Sequence, residues 1–211
     1  RLPTIIGLRV KSMKILVESG RIEEKEADIL VLSLFEGREK FDGFVKDIDI
    51  ALGGTLASLV EGRDFTGKFN QALPLYTYGK IKARRLLLVG LGKKQEFSFE
   101  VVRSASGKAV QQIRDLNLSK YVTVAHGEDS GLPIDGLIQA LVEGSELALY
   151  AFTRFKTEVE SLPKPLDEMT IFLRSGASIP VAQKSMAVAE AVCEATKLAR
   201  EIANTPSSDM T

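Results

Sequence analysis

Hydrophobic residues along this chain come in short runs, separated by longer stretches in which apolar positions recur every three or four residues. Residues 4–10, 13–18, 28–35, 73–78, 85–89, 121–125 and 169–173 are rich in leucine and β-branched side chains and predict strands. Three runs, Ile29-Leu30-Val31-Leu32, Leu86-Leu87-Leu88-Val89 and Val122-Thr123-Val124-Ala125, are almost unbroken in apolar character. Strands of that kind are buried on both faces, which predicts an α/β fold with helices above and below a sheet.

The intervening segments carry the helical pattern. Over residues 47–60, Ile48, Leu52, Leu56 and Leu59 share one face, and the interior Gly53 and Gly54 each weaken the helix by roughly 1 kcal/mol relative to Ala. A helix over 99–116 follows Ser98, a residue suited to capping, and Glu100 suits its positive end. A third, over 133–155, opens on Pro133 and turns Ile134, Leu137, Ile138, Leu141 and Val142 inward. The longest, over 178–203, shows a stripe of small residues: Ala182, Met186, Ala189, Cys193, Thr196 and Ala199. Such a stripe permits close approach to this sheet or to a second domain. The pattern stops at the turn-forming cluster from Asn204 to Asp209, where Pro206 ends any helix before it. The expected organisation is an α/β domain over residues 1–177, followed by a long helix and linker over 178–211.

Composition narrows the function. With 211 residues, 45% of them hydrophobic, the chain can bury roughly 70% of its unfolded surface and needs no cross-links. It carries 28 basic and 28 acidic residues, a balance that argues against general binding of polyanions such as nucleic acid. The densest basic stretch, Lys80 to Arg85, reads as a solvated turn leading into a strand. A single cysteine, no signal-peptide pattern and no apolar run near ~20 residues predict a cytoplasmic protein away from membranes.

Candidate chemistry is sparse. The one histidine, His126, lies at a strand end with no second histidine at ligand spacing, and is expected at the surface or in a hydrogen bond. Cys193 sits among Ala and Val in a helix and reads as a small core residue. Gly90-Leu91-Gly92 follows a strand but lacks the spacing of either common phosphate loop, so a glycine turn is expected. Asp42, Asp47 and Asp49 form an acidic cluster, two of them at a predicted helix start where carboxylates are favourable without a metal. No catalytic, cofactor-binding or metal-binding residue emerges.

Four segments together resemble the M17 leucyl aminopeptidases. They are Asp49 to Leu56 running on to Asp64-Phe65-Thr66-Gly67-Lys68; Lys82 to Lys93; Glu143-Gly144 with Leu149-Tyr150-Ala151-Phe152 and Phe155-Lys156; and Ala199-Arg200-Glu201 with Asn204 to Thr211. The last is similar to the family's junction motif ahead of its catalytic half. The resemblance implies a three-layer α/β/α, macro-domain-like fold with a mixed, mostly parallel sheet. It also implies a parent metallo-aminopeptidase that removes N-terminal residues, leucine among them, from peptides. In that family two divalent metals, zinc or manganese, activate water and polarise the scissile carbonyl. Here Asn204-Thr205 is followed by Pro206 and not by the Asp-Ala-Glu-Gly-Arg of the family's metal motif, so no catalytic residue is carried over. The partners implied are the parent's own catalytic domain, peptide substrates and further copies in a homohexamer, with nucleic acid and membrane set aside. The alternative expectation is a stand-alone macro-like domain that binds ADP-ribose or a related nucleotide.

Overall fold

The computed structural model describes residues 13–38, 40–153 and 165–209. Six of the predicted strands lie within it; the one expected over residues 4–10 lies outside the described residues. The strands are β1 (Lys14–Ser19), β2 (Ile29–Leu34), β3 (Ala72–Tyr76), β4 (Arg85–Gly90), β5 (Lys120–Val124) and β6 (Glu168–Leu173). They form one sheet in the order β1-β6-β5-β2-β4-β3, parallel except for the antiparallel edge strand β3. The sheet is therefore mixed and mostly parallel.

Alternation along the central strands sends side chains into two cores. Ile29, Val31, Leu87, Val89 and Ile171 point to one face, where they meet α3 (Phe99–Asp115), α4 (Ile134–Ala148) and α5 (Ile179–Asn204). Leu30, Leu32, Leu34, Leu86 and Leu88 point to the other, under α1 (Gly43–Ala51) and α2 (Thr55–Glu61). All six residues of β2 are buried, as expected of a parallel strand roofed twice.

The helix expected over 47–60 is two helices. The chain breaks at Gly53 and Gly54, both in the left-handed region at φ 71° and 81°. Glycine adopts that conformation without the Cβ penalty, so the pair forms a turn and not a weak helix interior. Asp49 then lies near the end of α1, and its carboxylate accepts the amides of Leu56 and Ala57 at 2.8 and 3.2 Å, capping α2 from outside. The apolar face survives the break, since Ile48, Leu52 and Leu56 are all buried in one core.

The helix expected over 133–155 ends sooner, at Ala148. Its inward face is as read, with Leu137, Ile138, Leu141 and Val142 buried. Because α4 lies between α3 and α5, its flanks are covered too, and two carboxylates go under with them. Glu143 accepts from Arg103 Nε at 2.7 Å and from Gln139 at 2.8 Å, while Glu146 pairs with Lys197 of α5. An unpaired buried carboxylate would cost several kcal/mol, so each partner is a condition of this packing.

On α5, Ala182, Ala189 and Cys193 are buried as the small-residue stripe predicted, with Ser185 joining them. Met186 and Thr196 are half-buried, and Ala199 is exposed. Helix α5 ends at Asn204, ahead of Pro206.

Helix α3 lies directly against Gly144 of α4, where an added Cβ would stand 2.2 Å from the Arg103 carbonyl oxygen. Helix propensity alone would make Gly144→Ala stabilising by ~1 kcal/mol. The clash is with backbone, which no rotamer relieves, so the variant is expected to be destabilised by about 3 kcal/mol. Thermal unfolding followed by circular dichroism checks the sign: a midpoint lowered by roughly 6–12 °C is expected.

Candidate functional site

In a parallel sheet the carboxyl ends of the strands collect ligands where the strand order reverses. Here that point lies between β2 and β5. The chain leaves β2 for α1 on one face and leaves β5 for α4 on the other, so a crevice opens between the two exits. Ser33, Phe35, Arg38, Val124, Ala125, Asp129 and Arg174 are among its lining, and its volume is about 170 Å³.

The crevice is held shut by its own side chains. The Arg38 guanidinium reaches Asp42 at 2.6 Å and Asp129 at 2.9 Å, bridging the loop after β2 to the loop after β5. Lys94 donates to the Asp129 carbonyl at 2.9 Å from a third side. Arg174, just after β6, lies 5.4 Å over the Phe44 ring and fills the space where Gly43 would carry a Cβ. Burial raises the carboxyl pKa of Glu128, opposed by the charge of Arg174. Beneath, Phe97 packs edge-on to Phe35 with centroids 5.0 Å apart, and its ring occupies the volume a side chain at residue 127 would need. None of Arg38, Asp129 and Arg174 stood out in the sequence. The available signal was position, since each follows a buried strand by a few residues.

The candidates weighed in the sequence fall as follows. Gly90-Leu91-Gly92 is a glycine turn, and its amides are spoken for. Gly90 donates to Gln71, Leu91 to Leu34 and Gly92 to Gly67, all between 2.8 and 2.9 Å, leaving no cradle of free N–H groups for a phosphate. The glycine at 90 is required because the segment at 67–68 crosses directly over it, with the Lys68 carbonyl 2.0 Å from an added Cβ. Asp42 and Asp49 serve the ion pair and the helix cap already described, and Asp47 is exposed on α1. Cys193 is buried, and burial first, then the charge of Glu146, pushes its thiol up to about 11. It is a core residue, as read.

His126 departs from expectation. It is neither at the surface nor tied down at Nδ1: the ring is buried, and Nδ1 has no hydrogen-bond partner among the described residues. Only the neutral imidazole tolerates such a place, and burial drives its pKa down to about 4.

A larger depression of about 390 Å³ lies between α3 and α4, with Gly107 and Gly144 among its lining and Arg103 and Glu143 in mutual contact. It is a shallow groove over a tight helix contact, with Asn70, whose amide donates to the Gly90 carbonyl at the end of β4, at its border. Among the described residues no three His, Cys, Asp or Glu side chains come together as a metal site.

A mostly parallel sheet between two helical layers, with its crevice at the order reversal, defines a three-layer α/β/α domain. Solved structures agree on the fold. A mutant of the Oceanobacillus iheyensis macrodomain superposes with TM-score 0.62 at 12% identity, over 82% of this chain and 90% of that one. Tomato leucine aminopeptidase gives 0.74 at 22% identity over 95% of this chain and 40% of that one. The bottromycin maturation enzyme BotP in complex with Mn gives 0.61 at 21%, over 88% and 33%. Residues 31–159 match the cytosol aminopeptidase family, N-terminal domain. The chain belongs to this family and carries that domain. Probable cytosol aminopeptidases of Geotalea uraniireducens and Alkaliphilus oremlandii are 36% identical over 175 residues and 27% identical over 199. The chain spans 33% and 40% of their respective lengths.

The state of His126 makes stability depend on pH. Its folded pKa lies below the unfolded value near 6.5, so the unfolded chain binds the proton first and stability is lost as pH falls from about 6.5 toward 4. Between pH 7 and pH 5 the wild-type chain is expected to lose about 2 kcal/mol more than His126→Gln, read from urea midpoints at the two pH values.

Proposed function

We propose that this chain is the non-catalytic N-terminal part of a leucyl aminopeptidase whose full-length form removes N-terminal residues, leucine among them, from peptides. The observation that carries the reading is the family match over residues 31–159 joined to the chain's span of only 33–40% of its relatives' length. On this reading the chemistry belongs to the remaining part. Two divalent metal ions there, zinc or manganese, would activate water and polarise the scissile carbonyl. Among the described residues no three His, Cys, Asp or Glu side chains converge to hold such an ion. Residues 1–177 would be the macro-like unit, and 178–211 the helix and linker that lead to the catalytic region. The parent would be cytoplasmic and homohexameric. Its relatives' names as cytosol aminopeptidases favour the first, as does the absence, among the described residues, of a helix long and apolar enough to cross a membrane.

At its crevice the domain's own side chains and amides are already engaged with one another. The Arg38 clamp and the consumed amides at Gly90 to Gly92 speak against nucleotide binding in the crevice. Its ~170 Å³ also falls below the ~300 Å³ at which small-molecule pockets begin.

Two assays test the reading. The purified chain, incubated with leucine p-nitroanilide and added manganese, is expected to release no nitroaniline above the blank. Turnover that follows the metal and is abolished by chelation would overturn the assignment. Titration calorimetry with ADP-ribose is expected to show no heat; a saturable isotherm would instead establish the nucleotide-binding alternative.

A further inference from the structure

The hairpin joining β3 to β4 carries a surface that neither the crevice nor the helical layers use. Beyond Tyr76 the chain turns, and the Lys80 amide donates to the Thr77 carbonyl at 3.0 Å. Both central residues have positive φ, 51° at Tyr78 and 78° at Gly79. Turns of this hand favour Asn-Gly or Gly-Gly, because a Cβ at positive φ crowds the following carbonyl. A tyrosine there costs roughly 1–2 kcal/mol. Its ring recovers little of that: Tyr78 is 88% exposed, and its ring neighbour, Tyr76 at 6.2 Å, is itself 60% exposed.

The pedestal under this ring is firm. Thr77 is buried, its hydroxyl directed at the carbonyls of Ala83 and Arg84 at 2.7 and 3.0 Å. Lys80 donates to the Leu52 carbonyl at 2.8 Å, fixing the turn to the end of α1. A strained, rigidly mounted and exposed aromatic is the composition of a binding hot spot.

Its charge says what it would bind. The Arg85 guanidinium lies 5.1 Å over the Tyr76 ring, and Lys82 and Arg84 are exposed beside it. Among the described residues no carboxylate pairs with Lys82, Arg84 or Arg85, whereas Arg21, Arg38 and Arg103 are all paired. Glu23 and Glu24, on the segment whose Glu23 carbonyl accepts the Lys82 amide, are taken up by Arg21. Pro74 interrupts the row of N–H groups on edge strand β3, so a partner is met by side chains and not by strand addition.

We propose that the hairpin from Tyr76 to Arg85 is a docking surface for an acidic polypeptide segment, whose carboxylates pair with Lys82, Arg84 and Arg85 and accept from the two phenols. A polypeptide is favoured over nucleic acid because the chain as a whole is neutral and sets up no long-range field for a polyanion. One of the two rings is also already covered by Arg85, which leaves a single aromatic for stacking. The hairpin lies within the family-matched residues 31–159, but its docking role needs no catalysis by the parent, so the two readings are tested separately.

The test exploits the strain. Tyr78→Asn installs the residue the turn prefers, so its thermal midpoint should equal or exceed that of the wild-type chain. A fluorescein-labelled oligoglutamate peptide, followed by anisotropy at low salt, is expected to bind the wild-type chain saturably. Binding should weaken about fivefold or more in both Tyr78→Asn and Arg84→Glu. The proposal is overturned by absence of saturable binding to the wild-type chain, or by affinity unmoved in either variant. Tighter binding of an oligothymidylate of matched length would also overturn it, and would reassign the surface to nucleic acid.

Discussion

Three adjoining strands, β2, β4 and β5, carry apolar side chains on both faces, and neither face can be left to water. β2 alone buries all six of its residues. Two roofs are therefore needed, and the rest of the architecture follows from supplying them. One is the pair α1 and α2; the other is the layer of α3, α4 and α5. In that layer the middle helix has a neighbour on each flank as well as the sheet below. This is why α4 buries Glu143 and Glu146, and why Arg103 on α3 and Lys197 on α5 stand where they do. The same crowding requires glycine at 144, where the α3 backbone leaves no room for a methyl group.

The double roof also makes the crevice. Because the chain exits β2 and β5 toward opposite faces, the sheet parts at its carboxyl edge, the place where folds of this class hold ligands. In this chain the opening is spent on itself. Arg38 ties the two exits together, Phe97 fills the floor beneath Gly127, and the turn at 90–92 donates its amides to neighbouring carbonyls. Fold and occupancy are separate matters: the likeness to macrodomains is one of backbone, while the side chains at the crevice set its own chemistry.

Much was legible in the chain. Alternation and run length placed six strands within a residue or two, most plainly at β2, β4 and β5, where burial on both faces leaves a nearly unbroken apolar run. The inward face of α4 was legible from its helical period, with Leu137, Ile138, Leu141 and Val142 buried as read. Continuity of the first helix was not: period 3.6 records which residues share a face, and Ile48, Leu52 and Leu56 keep sharing it across a left-handed glycine turn. The glycine turn after β4, the core role of Cys193 and the stop ahead of Pro206 were read correctly from local chemistry alone.

What the sequence by itself determined, then, were the properties that one segment expresses alone: apolar period, turn chemistry, net charge, and the ordered motifs that mark the family. The tertiary structure decided whatever depends on residues distant along the chain. It placed His126 out of water with Nδ1 unpartnered among the described residues, where the sequence suggested a strand-end position at the surface or in a hydrogen bond. It brought Arg38 to Asp129 across 91 positions and Lys197 to Glu146 across 51. It left Tyr78 and its neighbouring cations exposed on a rigid turn. Burial and charge pairing are sums over neighbours supplied by the whole fold, and no window along the sequence contains them.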